Sequence, residues 1–167
     1  LVQAGVALSS LSTVFITHLH SDHVLELGGL LHTAWVSGLK TRVRVFGPEG
    51  IEGYWAGFRQ AMAYDMHLRV VDDGRIPLEA LVEVITLREG AVPFEGLKVS
   101  ALKMNHPPVD FAYGYRFEGS KVVTFSGDTC YHPPLADFAK GSDVLVHEAL
   151  LPEGIDAILQ RTGGGEK

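Results

Sequence analysis

A chain of 167 residues, 46 % hydrophobic and 20 % charged, has the length and composition of one folded domain, 1–167, with a sizeable core. A net charge of −6 is a poor overall footprint for a polyanion, and the one cysteine, Cys130, excludes an internal disulfide. Neither a transmembrane run nor a signal-peptide pattern is present, so no membrane partner and a cytoplasmic location are expected.

The first apolar run, Val14-Phe15-Ile16, reads as a buried strand. It leads directly into Thr17-His18-Leu19-His20-Ser21-Asp22-His23. Imidazole is the commonest metal ligand among side chains, and carboxylate suits hard divalent ions. A strand that ends in such a cluster delivers several ligands to one point on a rigid support. Leu25, Leu27, Leu30, Leu31, Ala34 and Trp35 then predict a largely buried helix, closed near Gly38.

Val43–Phe46 reads as a strand, and Pro48 is placed to start a turn or helix. Ile51, Tyr54, Trp55, Phe58, Met62 and Met66 repeat at helical spacing, a stripe best explained by core packing. From Leu81 onward the pattern is mainly strand: Val82–Leu87, Leu97–Met104, Ala112–Phe117 and Val122–Phe125. Glu118-Gly119-Ser120-Lys121 predicts a hairpin turn between the last two. Pro133-Pro134 precedes a short helix to about Ala139, Gly141 stops it, and Val144–Val146 forms a last strand. Gly163-Gly164-Gly165 reads as a mobile loop or frayed end. Strands interleaved with helices, some joined as hairpins, imply an α/β fold with a mixed sheet and helical cover.

Two further candidates end apolar runs. His106 follows Leu97–Met104 and is stiffened by Pro107-Pro108; Asp128 follows Val122–Phe125 and is freed to project by Gly127. Beside the first cluster they read as ligands, because one site needs donors gathered from several strand ends. His147 and Glu148 end the next strand and suit the supporting partners that fix metal-bound imidazoles. His32 reads as a satisfied boundary histidine, His67 as a surface residue, and His132 as a surface residue lining a cleft. Cys130, with no adjacent base, reads as a buried structural cysteine.

His18-Leu19-His20-Ser21-Asp22-His23 resembles the H-x-H-x-D-H signature of the metallo-β-lactamase superfamily. His106, and Asp128 in Ser126-Gly127-Asp128-Thr129, match the next two ligand positions in order and context. Val144-Leu145-Val146-His147-Glu148-Ala149 resembles the His-Glu-Ala motif of the ribonuclease Z and arylsulfatase-like branches. Tyr113-Gly114-Tyr115-Arg116-Phe117 fits the strand after their third ligand motif.

The resemblance implies an αββα sandwich with mixed sheets, incomplete at both ends. Strands that precede the signature in family members have no counterpart, and no histidine follows His147 to serve as the last ligand of a second metal. It also implies two metals, most often zinc, with iron or manganese compatible with the same donors. His18, His20 and His106 would hold the first, Asp22 and His23 the second, with Asp128 bridging. Asp22 would act in catalysis by orienting a metal-bound hydroxide and taking its proton. The expected function is a metal-dependent hydrolase acting on an ester-type small molecule. The alternative is a ribonuclease Z-like endonuclease for tRNA 3′ ends. It is placed second because Ile51–Gly96 holds no counterpart of that family's tRNA-gripping arm and the net charge is negative. A non-catalytic metal-binding fragment is the third reading, and a homodimer is an allowed assembly.

Overall fold

The computed structural model describes residues 1–162; the Gly163–Gly165 run lies outside the described residues. After two short 3-10 turns the chain forms β1 (Thr13–Phe15), α1 (Ser21–Val36), β2 (Val43–Gly47), α2 (Ile51–Ala61), α3 (Ala63–Val71) and α4 (Leu78–Leu81). It continues through β3 (Val82–Thr86), β4 (Gly90–Val92), β5 (Lys98–Lys103), β6 (Tyr113–Glu118) and β7 (Val122–Phe125). The last elements are α5 (Pro134–Phe138), β8 (Val144–Val146) and α6 (Pro152–Thr162). No helix among the described residues is long and apolar enough to cross a membrane.

The strands build two sheets. The first, β1-β2-β3, is wholly parallel. The second, β4-β5-β6-β7-β8, is mixed: its first four strands are antiparallel and β8 joins β7 in parallel. The predicted hairpin connects β6 to β7, closed by the Gly119 N–H donating to the Lys121 carbonyl.

Period-two alternation sorts the side chains of the first sheet into layers. Val14, Ile16, Val43, Val45, Val82 and Val84 face a core shared with α1 and α2. Phe15, Phe46 and Ile85 point the other way and pack on Val99, Ala101, Tyr115 and Phe117 of the second sheet. Phe15 and Phe46 stack at 4.8 Å between centroids. On the far side of the second sheet, Met104 and Ala112 pack with Leu135 of α5. Helices, sheet, sheet and helix therefore follow one another as layers.

The helical stripe that starts at Ile51 is divided. Met62, at φ −98° and ψ 7°, ends α2 and begins α3, so Ile51 and Trp55 belong to one helix and Met66 to the next. All three are buried, as core residues should be. Three elements carry no clear sequence signal: the single turn α4, the three-residue β4, and α6. Cys130 is exposed, which corrects its reading as a buried cysteine. It sits in the loop after β7, where backbone hydrogen bonds rather than packing define the path.

The helices meet closely at one point. Tyr54 of α2 sets its hydroxyl against the α1 backbone, donating to the Leu25 carbonyl at 2.8 Å and accepting from the Gly28 N–H at 3.1 Å. A Cβ on Gly28 would run into the Phe58 ring, whereas one on neighbouring Gly29 would meet nothing within 4 Å. The two alanine substitutions should therefore have opposite signs. Gly28→Ala forces the Phe58 ring or α2 itself to shift and should cost about 1–3 kcal/mol. Gly29→Ala gains helix propensity and should stabilise by up to about 1 kcal/mol. Urea unfolding of both variants checks this.

Candidate metal centre

The site is assembled where the ends of both sheets meet. The chain leaves β1 through Ile16 and Thr17, whose carbonyls are both taken by the second sheet. Tyr115 Oη donates to the Ile16 carbonyl at 2.7 Å, and the Tyr113 N–H donates to that of Thr17 at 2.9 Å. His18 is thereby fixed at the seam and is fully buried. His20 follows as the N-cap of α1, in extended conformation, and Asp22 and His23 occupy the first helical turn. The positive end of the helix dipole favours the Asp22 carboxylate there.

From the second sheet come the other two residues. His106 lies beyond β5, in a tight loop closed by the Val109 N–H donating to the His106 carbonyl. Asp128 lies beyond β7, after Gly127, which takes φ +63°; a Cβ there would stand 3.0 Å from the Thr17 Cβ. A non-glycine residue would meet both strain and crowding.

Six side chains from three separated segments converge. His18 Nε2 lies 3.0 Å from His20 Nδ1, and His106 Nε2 lies 3.2 Å from that same atom. Asp128 Oδ2 stands 3.3 Å from His23 Nε2 and 4.0 Å from the Nε2 atoms of both His18 and His106. Asp22 Oδ2 is 3.4 Å from His23 Nε2, with most of the Asp22 side chain in solvent. Two overlapping donor groups result: His18, His20 and His106, and His18, His23 and Asp128.

The donors suit a divalent metal. One ring nitrogen has either one proton or one lone pair, so His20 Nδ1 makes at most one good hydrogen bond with its two imidazole neighbours. A cation at their common focus uses every lone pair instead. The 3.0 and 3.2 Å separations approach the edge of about 3.3–3.4 Å that a tetrahedron has when zinc–nitrogen bonds are about 2.0–2.1 Å. His18 is held in the neutral form: burial first, then the neighbouring His23, push its pKa down to about 4, against the opposing pull of Asp128. Thr17 Oγ1 lies 3.1 Å from His18 Nδ1. Its acceptance of the Nδ1 proton assigns the tautomer that leaves the Nε2 lone pair facing the cluster.

The supporting contacts differ in part from those that the sequence suggests. Glu148 does not touch an imidazole; its Oε1 accepts the Thr129 N–H at 2.6 Å and so grips the loop that carries Asp128. His147 is exposed and bonds to the Glu148 carbonyl, and the structure does not bring it to the cluster. Asn105 contributes through its backbone: its carbonyl accepts the Cys130 N–H at 2.7 Å and ties the His106 loop to the Asp128 loop. No side-chain pattern announces a carbonyl, whereas Thr17 was visible beside His18. His32 is satisfied by Asp65 Oδ2 at 2.8 Å, and His67 lies exposed on α3, away from the site. His132 lines a cleft of about 580 Å³ with Cys130 and His147.

This fold and this cluster define a metallo-β-lactamase fold protein. Residues 1–161 match the family described as Anti-Pycsar protein Apyc1, and the chain belongs to that family. Ribonuclease Z of Mycobacterium sp. (strain KMS) is 32 % identical over 162 residues, covering 95 % of this chain and 57 % of that protein. The chain thus spans little more than half the length of such relatives. Among solved structures, the short form of human tRNase Z superposes with a TM-score of 0.63 at 19 % identity, over 92 % of this chain and 63 % of that one. The metallo-beta-lactamase fold protein YhfI from Bacillus subtilis gives 0.61 at 20 %, over 86 % and 53 %.

The neutral His18 makes the metal-free protein acid-sensitive. An unfolded imidazole titrates near 6.5 and the folded one near 4, so the unfolded chain takes up this proton first as pH falls. The stability tied to neutral His18 is complete above about pH 6.5 and is lost as pH falls toward about 4. In chelator, His18→Asn should lose less stability than wild type between about pH 7 and about pH 4.5. Parallel urea titrations would measure the difference, and equal losses would mean that His18 titrates normally in the fold.

Proposed function

We propose that the chain carries the metal-holding core of a zinc-dependent phosphodiesterase that cleaves RNA, with a ribonuclease Z-like reaction. The observation that carries this reading is the pair of donor groups that share His18, namely His18, His20 and His106 and His18, His23 and Asp128, with Asp22 beside them. The ribonuclease Z relative, aligned over 95 % of the chain, favours RNA over the ester-type small molecule expected first. Neutral imidazoles and carboxylates suit zinc. His18, His20 and His106 would hold one ion, Asp22 and His23 would serve a second, and Asp128 would face both. Divalent ions so held supply Lewis acidity and make hydroxide available near neutral pH.

The chain's own residues do the rest. Thr17 fixes the His18 ring, and Glu148 and Asn105 keep the Asp128 loop against the His106 loop. Asp22, at the solvent mouth and on the helix N-terminus, is placed to receive the proton that an attacking water gives up. Attack at phosphorus then needs no serine or cysteine nucleophile, and the exposed Cys130 has no part in it.

Three variants test this. His20→Ala removes one of three nitrogens at the first position and should abolish tight zinc binding. Asp128→Asn keeps those nitrogens but loses a charged, two-oxygen donor. It should bind less zinc and cleave a 3′-extended RNA about a hundredfold more slowly or worse. His67→Ala, on the outer helix, should match wild type in both respects. Calorimetric zinc titration beside RNA cleavage decides the matter. A wild-type chain that hydrolyses 4-nitrophenyl acetate or sulfate but leaves RNA and bis(4-nitrophenyl) phosphate intact would return the small-ester reading to first place.

A further inference from the structure

Two of the six clustered donors are poorly secured by their own helix. Asp22 and His23 lie in the first turn of α1, whose N–H groups have no partners within the helix. The N-cap, His20, makes no capping bond with its side chain; its Nδ1 faces His18 and His106 instead. Val24 and Leu27 are buried beneath this segment, but apolar packing is non-directional and leaves the tilt of a helix open. Gly28 and Gly29 follow, a pair at which helices bend. Gly28 lies about 7.5 Å along the axis from His23, so a bend of about 10° there would carry His23 by roughly 1.3 Å. Metal–ligand distances tolerate only about 0.2 Å.

α2 grips this segment on both sides of the donors. Ahead of them, Leu19 is seated on Gly50, the N-cap of α2, where a Cβ would lie 2.8 Å from Leu19 Cδ1. Behind them, the Tyr54 hydroxyl donates to the Leu25 carbonyl at 2.8 Å and accepts the Gly28 N–H at 3.1 Å. Gly50 and Tyr54 are one turn apart on the same face of α2, and the Tyr54 N–H donates to the Gly50 carbonyl. The two contacts bracket His20, Asp22 and His23. The second acts on Gly28 itself, and hydrogen bonds, unlike apolar contacts, have direction.

We propose that Tyr54 is a positioning residue for the metal centre. Its hydroxyl holds the first two turns of α1 at the tilt that sets His23 Nε2 3.3 Å from Asp128 Oδ2. The proposal rests on the two-ion reading of the site and predicts an unequal effect. His18 is fixed at the seam, His106 comes from the second sheet, and His20 is extended ahead of the helix. His23 and Asp22 ride on the helix and follow its tilt. Loss of the hydroxyl should therefore weaken the second ion and spare the first.

Tyr54→Phe keeps the ring and removes only the hydroxyl, and two measurements on the whole chain test its effect. Amide hydrogen exchange of the metal-free chain reads the hold on α1. Residues 21–28 should exchange about tenfold faster in the variant, while β1 and β2 keep the wild-type rate. Calorimetric zinc titration reads the consequence. The second zinc should bind about tenfold more weakly or worse, and the first within about twofold of wild type. Unchanged exchange in 21–28, faster exchange throughout β1 and β2, equal weakening of both ions, or no weakening of either would each overturn the proposal. A wild type that takes up only one zinc would sink the two-ion reading, and exchange alone would then decide whether Tyr54 holds the helix.

Discussion

Two hydrogen bonds across the seam between the sheets determine whether there is a site at all. The ligand-bearing segments come from opposite sheets, and nothing in either sheet alone relates His18 to His106 or Asp128. Tyr115 Oη on the Ile16 carbonyl and the Tyr113 N–H on the Thr17 carbonyl join the exit of β1 to the start of β6. Burial pushes the Tyr115 phenol's pKa up, so the hydroxyl stays protonated and remains a donor. The stacked Phe15 and Phe46, packed on Tyr115 and Phe117, press the two sheets together beneath these bonds. Without the seam, the first histidine would lose its register against the loops that complete the cluster.

The cluster itself is a local conflict. Imidazole nitrogens that crowd one another cannot all be hydrogen-bonded, and a buried imidazole resists charging. The fold tolerates this because surrounding contacts over-determine the loops: Thr17 holds the His18 ring, Glu148 holds Thr129, and Asn105 holds Cys130. Such concentrations of unfavourable terms are expected where a protein keeps a function rather than maximal stability. A divalent cation bound there would resolve the conflict by giving each lone pair a partner.

Much of this was legible in the sequence, and the reason is periodicity. The strands before His18, His106 and Asp128 are short apolar runs with turn residues after them, so each of the three could be placed at a strand end; that they meet was expected from the neighbouring His cluster and from the resemblance of these motifs to the metallo-β-lactamase superfamily. Other features left no such trace. Met62 divides one apolar stripe into two helices because backbone angles, not side-chain spacing, set the break. Glu148 serves a backbone N–H where an imidazole partner was expected, and Asn105 acts through its carbonyl, a group every residue has. Cys130 is exposed because its loop is routed by backbone hydrogen bonds, which hydropathy does not register.

The central claim is that three imidazoles from two sheets share one divalent ion with a second ion beside it. Zinc K-edge X-ray absorption of the loaded chain reads that arrangement directly. The account predicts a shell of nitrogen and oxygen at about 2.0–2.1 Å with strong imidazole multiple scattering. At saturating zinc it predicts a metal–metal vector of about 3.5–4 Å. A first shell of oxygen alone, without the imidazole signature, would contradict it.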